Sequence, residues 1–364
     1  MIHCRDCQSP YPIDQTPYRC IHCGGIYEFS QQPNFDLDLI EFRLPGIWRY
    51  RHTFCLDIDS PIISLGEGNT PLVWAKAFEK DIAFKLEFLN PTGSFKDRGT
   101  APLISFLKSR NITDAVEDSS GNAGASFAAF AAFAEIRAKI FVPSYASGPK
   151  RTQIESYGAE VVSVPGPRSK SAEAVEVAAQ EGMVYASHAY LPHGILGYAT
   201  VAYELFDQLG GVPGTVISPT GQGSLLLGVG VGFNALKQAG IIDQLPVLVG
   251  VQAAACSPLW AAFHRGTKLI GEPIFEGETL AEGVRTRNPL RSRSLLKLVY
   301  DTHGCFVVVD EESIALGRDQ LGRRGLFVEP TSAIVWSALE QVVGHVPDPI
   351  VTILTGSGLK SYSP

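Results

Sequence analysis

From about residue 80 onward the chain alternates short apolar runs with helical stretches, and that alternation leaves few folds open. The runs are "AFKLEFL", "AKIFVP", "AEVVSV", "MVYAS", "TVISPT", "VLVGVQ", "CFVVVD" and "PIVTILTG". They are rich in β-branched and aromatic residues and nearly continuous, as strands buried on both faces are. Between them lie stretches such as "DRGTAPLISFLKSR", "NAGASFAAFAAFAEI" and "SLLLGVGVGFNALKQAG". The pattern predicts an α/β fold of doubly wound, parallel or mixed sheets. A chain of 364 residues has room for about two such domains.

In sheets of this kind ligands bind at the carboxyl ends of strands, where loops meet helix N-termini. Four glycine-rich or polar turns fall at or near such places: "GSFKDRG", "SSGNAGAS", "SPTGQGS" and "LTGSGLK". One turn of this type is common, but four at matching positions point to one ligand touched from several sides. The 36 glycines are clustered, which suits backbone approaching a ligand better than a flexible linker.

The bulk properties narrow the classes. Hydrophobic residues make up 45% and charged residues 18%, ordinary for a chain with a substantial core. A net charge of −7 argues against a nucleic-acid surface. The start "MIHCRDCQSP" lacks the apolar segment of a secretory signal, and no apolar run is long enough to span a bilayer. The expected setting is the cytoplasm, with no membrane partner.

Four of the seven cysteines form a pattern. Cys4-x2-Cys7 is followed twelve residues later by Cys20-x2-Cys23. Two such knuckles supply four thiolates to one tetrahedral ion, so residues 1–32 are expected to form a structural zinc ribbon. Four thiolates leave no open coordination position for catalysis. Cys55, Cys256 and Cys305 are scattered and are expected to be buried as small hydrophobes.

The chemistry gathers on the turns. Gly221, Gln222, Gly223 and Ser224 open a helix after "TVIS", where backbone N–H groups and the helix dipole suit a phosphate. The Gly-Lys-Ser/Thr ending of a P-loop is missing, and the spacing is a poor match to the dinucleotide fingerprint. Ser119–Ser126 opens another helix, and Thr355 places a hydroxyl after the last strand. Lys96 stands alone as a long amine in a tight turn. A lysine, a phosphate cup, an asparagine turn and a hydroxyl fit a Schiff-base cofactor with a phosphate, a phenolic oxygen and a ring nitrogen.

The segments "LGEGNTPL", "KLEFLNPTGSFKDRG", "SSGNAGAS", "KRTQIESYGAEVV", "VQAAACSPL", "GLFVEPTSA" and "LTGSGLK" resemble, in order, the threonine synthase branch of the fold-type II pyridoxal-phosphate enzymes. The resemblance runs from about residue 60 to the end, and an N-terminal zinc ribbon recurs in that branch. It implies pyridoxal 5′-phosphate as cofactor, with Lys96 as the catalytic amine that binds it. It implies Asn122 at the phenolic oxygen, Gly221, Gln222, Gly223 and Ser224 at the phosphate, and Thr355 at the ring nitrogen. A hydroxyl cannot protonate that nitrogen, which favours elimination and replacement at the side chain over transamination. The turn of Ser119, Ser120, Gly121, Asn122 and Ala123 would receive the substrate carboxylate. The implied organisation is a ribbon at 1–32, an arm and first part of the large domain at 33–97, a small domain at 98–188, and the rest of the large domain at 189–364. A homodimer is also implied.

The same resemblance raises a question of substrate. A threonine synthase acting on O-phospho-L-homoserine needs a second anion site, yet Leu191 and Gly194 stand where polar groups are expected and Ala123 where a hydroxyl is usual. Arg285, Arg287, Arg291 and Arg293 offer another source of bidentate donors for a distal anion, with Arg285 and Arg287 the first candidates. His188 and His193 are polar candidates in the changed segment. Two enzyme readings follow: a threonine synthase, or a β-elimination or β-replacement enzyme such as a serine/threonine dehydratase or an O-phosphoserine-using synthase of the cysteate synthase type. A cofactor-bearing but idle regulator is a third, disfavoured by an intact Lys96.

Overall fold

The computed structural model describes residues 2–267, 270–271 and 276–361. The chain divides into two compact units, residues 2–68 with 96–197, and residues 69–95 with 198–361. The stretch read as an arm, up to residue 68, is counted with the first unit. It contains a 3-10 helix, Gly46–Thr53, that buries Ile47, Trp48 and Tyr50, and Ile63 N ties it to Ser105 Oγ at 3.0 Å.

The second unit carries a mixed six-stranded sheet built from β3 (Leu72–Ala77), β4 (Lys80–Lys85), β9 (Thr215–Pro219), β10 (Val247–Ala253), β11 (Cys305–Val309) and β12 (Ile350–Ile353). The order is β11-β10-β9-β12-β4-β3, parallel throughout except for β3. Every residue of β9 and β12 is buried, because helices cover both faces and no polar side chain has water to face. The core packs Ile217, Val249, Val251 and Ile350 against Ile334, Val335 and Leu339 of helix α10 (Pro330–Val342). Helices α7 (Pro258–His264) and α9 (Glu311–Gly322) belong to the same unit. β3 was not foreseen. It pairs with β4 through a two-residue turn in which Phe78 and Glu79 both adopt positive φ, and neither residue advertises that conformation.

The first unit carries a parallel four-stranded sheet, β7-β6-β5-β8, from β5 (Asp114–Glu117), β6 (Arg137–Pro143), β7 (Glu160–Val164) and β8 (Val184–Tyr185). Helices α1 (Lys96–Ser109), α2 (Asn122–Phe133), α3 (Pro149–Ser156) and α4 (Arg168–Gln180) belong to it. α2 is apolar around its circumference, and Ala123–Ala131 are accordingly buried on every side. At its N-terminus β1 (Ile2–Cys4) pairs antiparallel with β2 (Tyr27–Phe29).

Candidate active site

In the six-stranded unit, β9, β12 and β4 are neighbours, so their carboxyl ends bring three of the four turns together. The loop after β4 is fixed by buried polar bonds. Lys85 Nζ donates to Glu204 Oε2 at 2.6 Å and to the Thr70 carbonyl at 2.8 Å, and both charged side chains are essentially inaccessible. Removing one partner of such a pair costs about 3–5 kcal/mol. Glu87, also buried, accepts from Thr70 Oγ1 at 2.6 Å and Asn90 Nδ2 at 2.9 Å. The loop is then tied to the end of β12: Phe95 N donates to the Thr355 carbonyl and Ser357 N to the Gly93 carbonyl, each at 3.0 Å. Lys96 is the next residue in the chain, so the peptide that leads into it is held in place.

The turn after β9 is shaped by glycine. Gly223 has φ +79°, and a Cβ there would lie 2.3 Å from Leu295 Cδ2. A Cβ on Gly221 would lie 2.7 Å from the Gly283 carbonyl oxygen. Helix α6 (Ser224–Gln238) starts at Gly223 with no side-chain cap, which leaves its first N–H groups for a ligand. Gln222 Oε1 accepts from Leu290 N at 3.2 Å, so this side chain anchors the neighbouring segment and only its backbone is offered to a phosphate. Thr355 N donates to Ser332 Oγ at 2.8 Å. The Thr355 hydroxyl is buried and finds no partner among the described residues. An orphaned hydroxyl in this position is open to a water or to a group from outside the chain.

In the four-stranded unit Lys96, half-buried, opens α1. Thr100 Oγ1 donates to the Lys96 carbonyl at 3.0 Å and accepts from Ser126 Oγ of α2 at 2.8 Å, which couples the two helix starts. The Ser119–Ala123 turn lies so close to α2 that a Cβ on Gly124 would meet the Ser119 carbonyl oxygen at 1.8 Å. Two carboxylates precede this turn. Glu117, fully buried, accepts from Ser119 N at 2.8 Å, from Asp118 N and from the His188 ring at Nδ1. Asp118 accepts from Tyr185 OH at 2.7 Å. Burial pushes the Glu117 carboxyl up. Burial and the Glu117 charge push Asp118 up to about 6. Burial, then the positive charge of Lys96, holds His188 well below its ordinary value.

These bonds also alter the expected substrate turn. Ser119 N–H is taken by Glu117, and Gly121 N–H by Ser119 Oγ at 3.2 Å. Ser120 and the Ala123 N–H are the donors left to consider. The sequence reading missed Glu117 and Asp118; the available signal was a pair of acids at a strand end with no adjacent base.

The distal-anion candidates separate. Leu191 is core, 1% exposed. Helix α5 (His193–Leu209) passes α1 closely: a Cβ on Gly194 would sit 3.1 Å from the Gly99 carbonyl oxygen, and one on Gly197 1.8 Å from that of Arg98. His193 is buried and stacks on Phe106 with ring centroids 3.7 Å apart, a packing role. Arg285 and Arg287 reach one carboxylate, Glu276, at 3.2 and 3.5 Å. Arg291 is buried, 3% exposed, and precedes helix α8 (Ser292–Asp301), while Arg293 is exposed.

At the N-terminus the four sulfurs of Cys4, Cys7, Cys20 and Cys23 lie within 4.8 Å of one another. The two knuckles are built alike: Gln8 N donates to the Cys4 carbonyl and Gly24 N to that of Cys20, and both donors have positive φ. Of the scattered cysteines, Cys256 is buried and Cys305 half-buried. Cys55 is exposed, contrary to expectation, because the irregular turn that carries it leaves its side chain at the surface. Among the described residues no helix is long and apolar enough to cross a membrane.

Comparison with known proteins agrees with this architecture. The profile of the family described as "Pyridoxal-phosphate dependent enzyme" matches residues 63–356. A threonine synthase of Methanocaldococcus jannaschii is 33% identical, with 98% of this chain and 92% of that protein covered. One from Synechocystis sp. is 33% identical over 85% of this chain and 82% of its own. Among solved structures, a threonine deaminase of T.th. superposes with a TM-score of 0.69 at 27% identity, covering 81% of this chain and 94% of that one. The chain belongs to the pyridoxal-phosphate dependent enzyme family, fold type II, in its threonine synthase branch.

Proposed function

We propose that this enzyme is a threonine synthase, releasing phosphate from O-phospho-L-homoserine and adding water to give L-threonine. The observation that carries the reading is the reach of the Methanocaldococcus jannaschii relative, which is similar over 98% of the chain rather than only the part the family profile spans. When bound, pyridoxal phosphate supplies an electron-withdrawing ring. Its fit is supported by the uncapped glycine cradle and the orphaned Thr355 hydroxyl. Gly221, Gln222, Gly223 and Ser224 would hold the phosphate through backbone N–H groups, and Asn122 the phenolic oxygen. The Thr355 hydroxyl would donate to the ring nitrogen without protonating it. Lys96 would hold the cofactor covalently and move protons at the substrate carbons. Ser119, Ser120, Gly121 and Ala123 would frame the substrate carboxylate, with donors from Ser120 and from Ala123 N–H.

Arg285 and Arg287 would meet the substrate's own phosphate. Two guanidinium groups share the single Glu276 carboxylate, a partner that a substrate phosphate would displace. Cys4, Cys7, Cys20 and Cys23 would hold a structural zinc ion, a reading supported by four sulfurs gathered in one cluster. A cytoplasmic homodimer completes the proposal.

The test is product analysis. Purified enzyme given O-phospho-L-homoserine should yield L-threonine and inorganic phosphate in equal amounts. A second reading, elimination from or replacement on a neutral or β-phosphorylated amino acid, is favoured by Leu191 and Gly194, which are packed away from any ligand role. Turnover of L-threonine or L-serine to a keto acid and ammonia, with none of the phosphorylated homoserine, would replace the first reading by this one.

A further inference from the structure

The Glu117–His188 pair is not needed by any role assigned so far. Glu117 is a buried carboxylate that accepts from the backbone N–H groups of Asp118, Ser119 and His188, with the His188 ring Nδ1 against it. A carboxylate so surrounded acts as an acceptor, which fixes the His188 proton on Nδ1 and leaves Nε2 with a bare lone pair. Among the described residues nothing bonds Nε2, and the side chain keeps 16% exposure. The other charged groups acting on the ring are Lys96 and Arg168, which disfavour its protonation, and Asp118, which favours it. Glu117 holds the Ser119 turn as well as the ring. An amino acid with its carboxylate on that turn and its α-carbon at Lys96 therefore has His188 beside it.

Resting on the threonine synthase reading, we propose that His188 is a second catalytic base, positioned by Glu117, that takes a proton from the water adding to the substrate. In this step a water lone pair forms the O–C bond at the β-carbon. The O–H bond breaks and its proton goes to His188 Nε2. The α,β π pair moves to the α-carbon, which receives a proton from the Lys96 ammonium. Passing the proton from His188 to Lys96 restores both groups, so nothing is consumed but water.

His188→Gln keeps a polar group but removes the base. Its holoenzyme should retain the visible cofactor band and still release phosphate from O-phospho-L-homoserine. Threonine formation should fall by about 10²-fold, with the substrate diverted to 2-oxobutanoate and ammonia. A merely structural residue would lower phosphate release and threonine together at an unchanged product ratio, and that result overturns the proposal. Nitrogen-15 NMR of histidine-labelled holoenzyme, with the His188 signal assigned by its loss in His188→Gln, reads the geometry without turnover. Wild type should show the Nδ1–H tautomer and Glu117→Gln should lose that bias; a wild-type Nε2–H tautomer also overturns the proposal. Wild-type enzyme that makes no threonine at all sinks the functional reading and the water step with it, while the tautomer still decides whether Glu117 and His188 form the pair.

Discussion

Two glycine-rich turns open helices in this molecule, and in sequence they look alike. The turn at Gly221–Ser224 is electrically neutral and framed by backbone and by Leu295. The turn at Ser119–Ala123 follows two buried carboxylates, Glu117 and Asp118, that use up part of its hydrogen-bonding capacity. A dianionic phosphate is at home on the first and repelled from the second. A substrate carboxylate, with less charge and fewer donors to satisfy, can use what the second has left. The difference teaches that a helix N-terminus is assigned a ligand less by its glycines than by the charges buried behind it.

The contrast can be broken at several points. Lys96→Ala should cut turnover by about 10³-fold or more. It should also remove the visible band while the neutral turn still retains noncovalent cofactor, seen as fluorescence that is lost on dialysis against competing phosphate. Cofactor lost entirely at saturating concentration would show that the phosphate turn does not bind independently. Ser224→Asp gives the neutral turn a carboxylate of its own. Cofactor affinity should fall by roughly 100-fold by titration, with the holoenzyme's melting temperature dropping far more than the apoenzyme's.

A third experiment uses pH. His188 is held below its unfolded value of about 6.5, so as pH falls past 6.5 the unfolded chain takes up a proton that the folded chain does not. The stability His188 contributes above pH 6.5 is then lost on acidification, while Asp118, raised to about 6, and Glu117, also raised, take up protons in the fold and oppose that loss. Urea midpoints between about pH 7 and pH 5 should fall more, or rise less, in wild type than in His188→Gln; the same pH dependence in both would mean that His188 protonates freely in the fold. The smallest effect is expected from Thr355→Val. Its hydroxyl has no partner among the described residues, so apoenzyme stability should change by less than about 0.5 kcal/mol while cofactor affinity falls about 5- to 10-fold. Equal losses in both forms would mean that the hydroxyl serves the fold.

The neutral turn, the end of β12 and the Lys96 loop could be read from sequence because each is a local pattern: glycines before an apolar helix, a hydroxyl after an apolar strand. The acidic turn could be seen, but not its wiring. β5 reads "DAVE", whose acids argue against a strand. It forms because β6 and β8 flank it on both sides. Only that pairing buries Glu117 and brings in His188 from 71 residues away. The pair of Lys85 with Glu204 was hidden for the same reason: its partners are 119 residues apart.

The close passage of α5 over α1 has a consequence for how this enzyme can be evolved. Gly194 and Gly197 rest almost on the backbone of Gly99 and Arg98, one turn beyond Lys96. A donor introduced at position 194 needs the helix that carries the reactive amine to give by a few tenths of an ångström, so new specificity there comes with a shift next to Lys96. That coupling burdens the route for single substitutions in a selection experiment. Variants that acquire a new preference for an anionic side chain should therefore arise in the arginine segment, where Glu276 can be traded away without moving a helix.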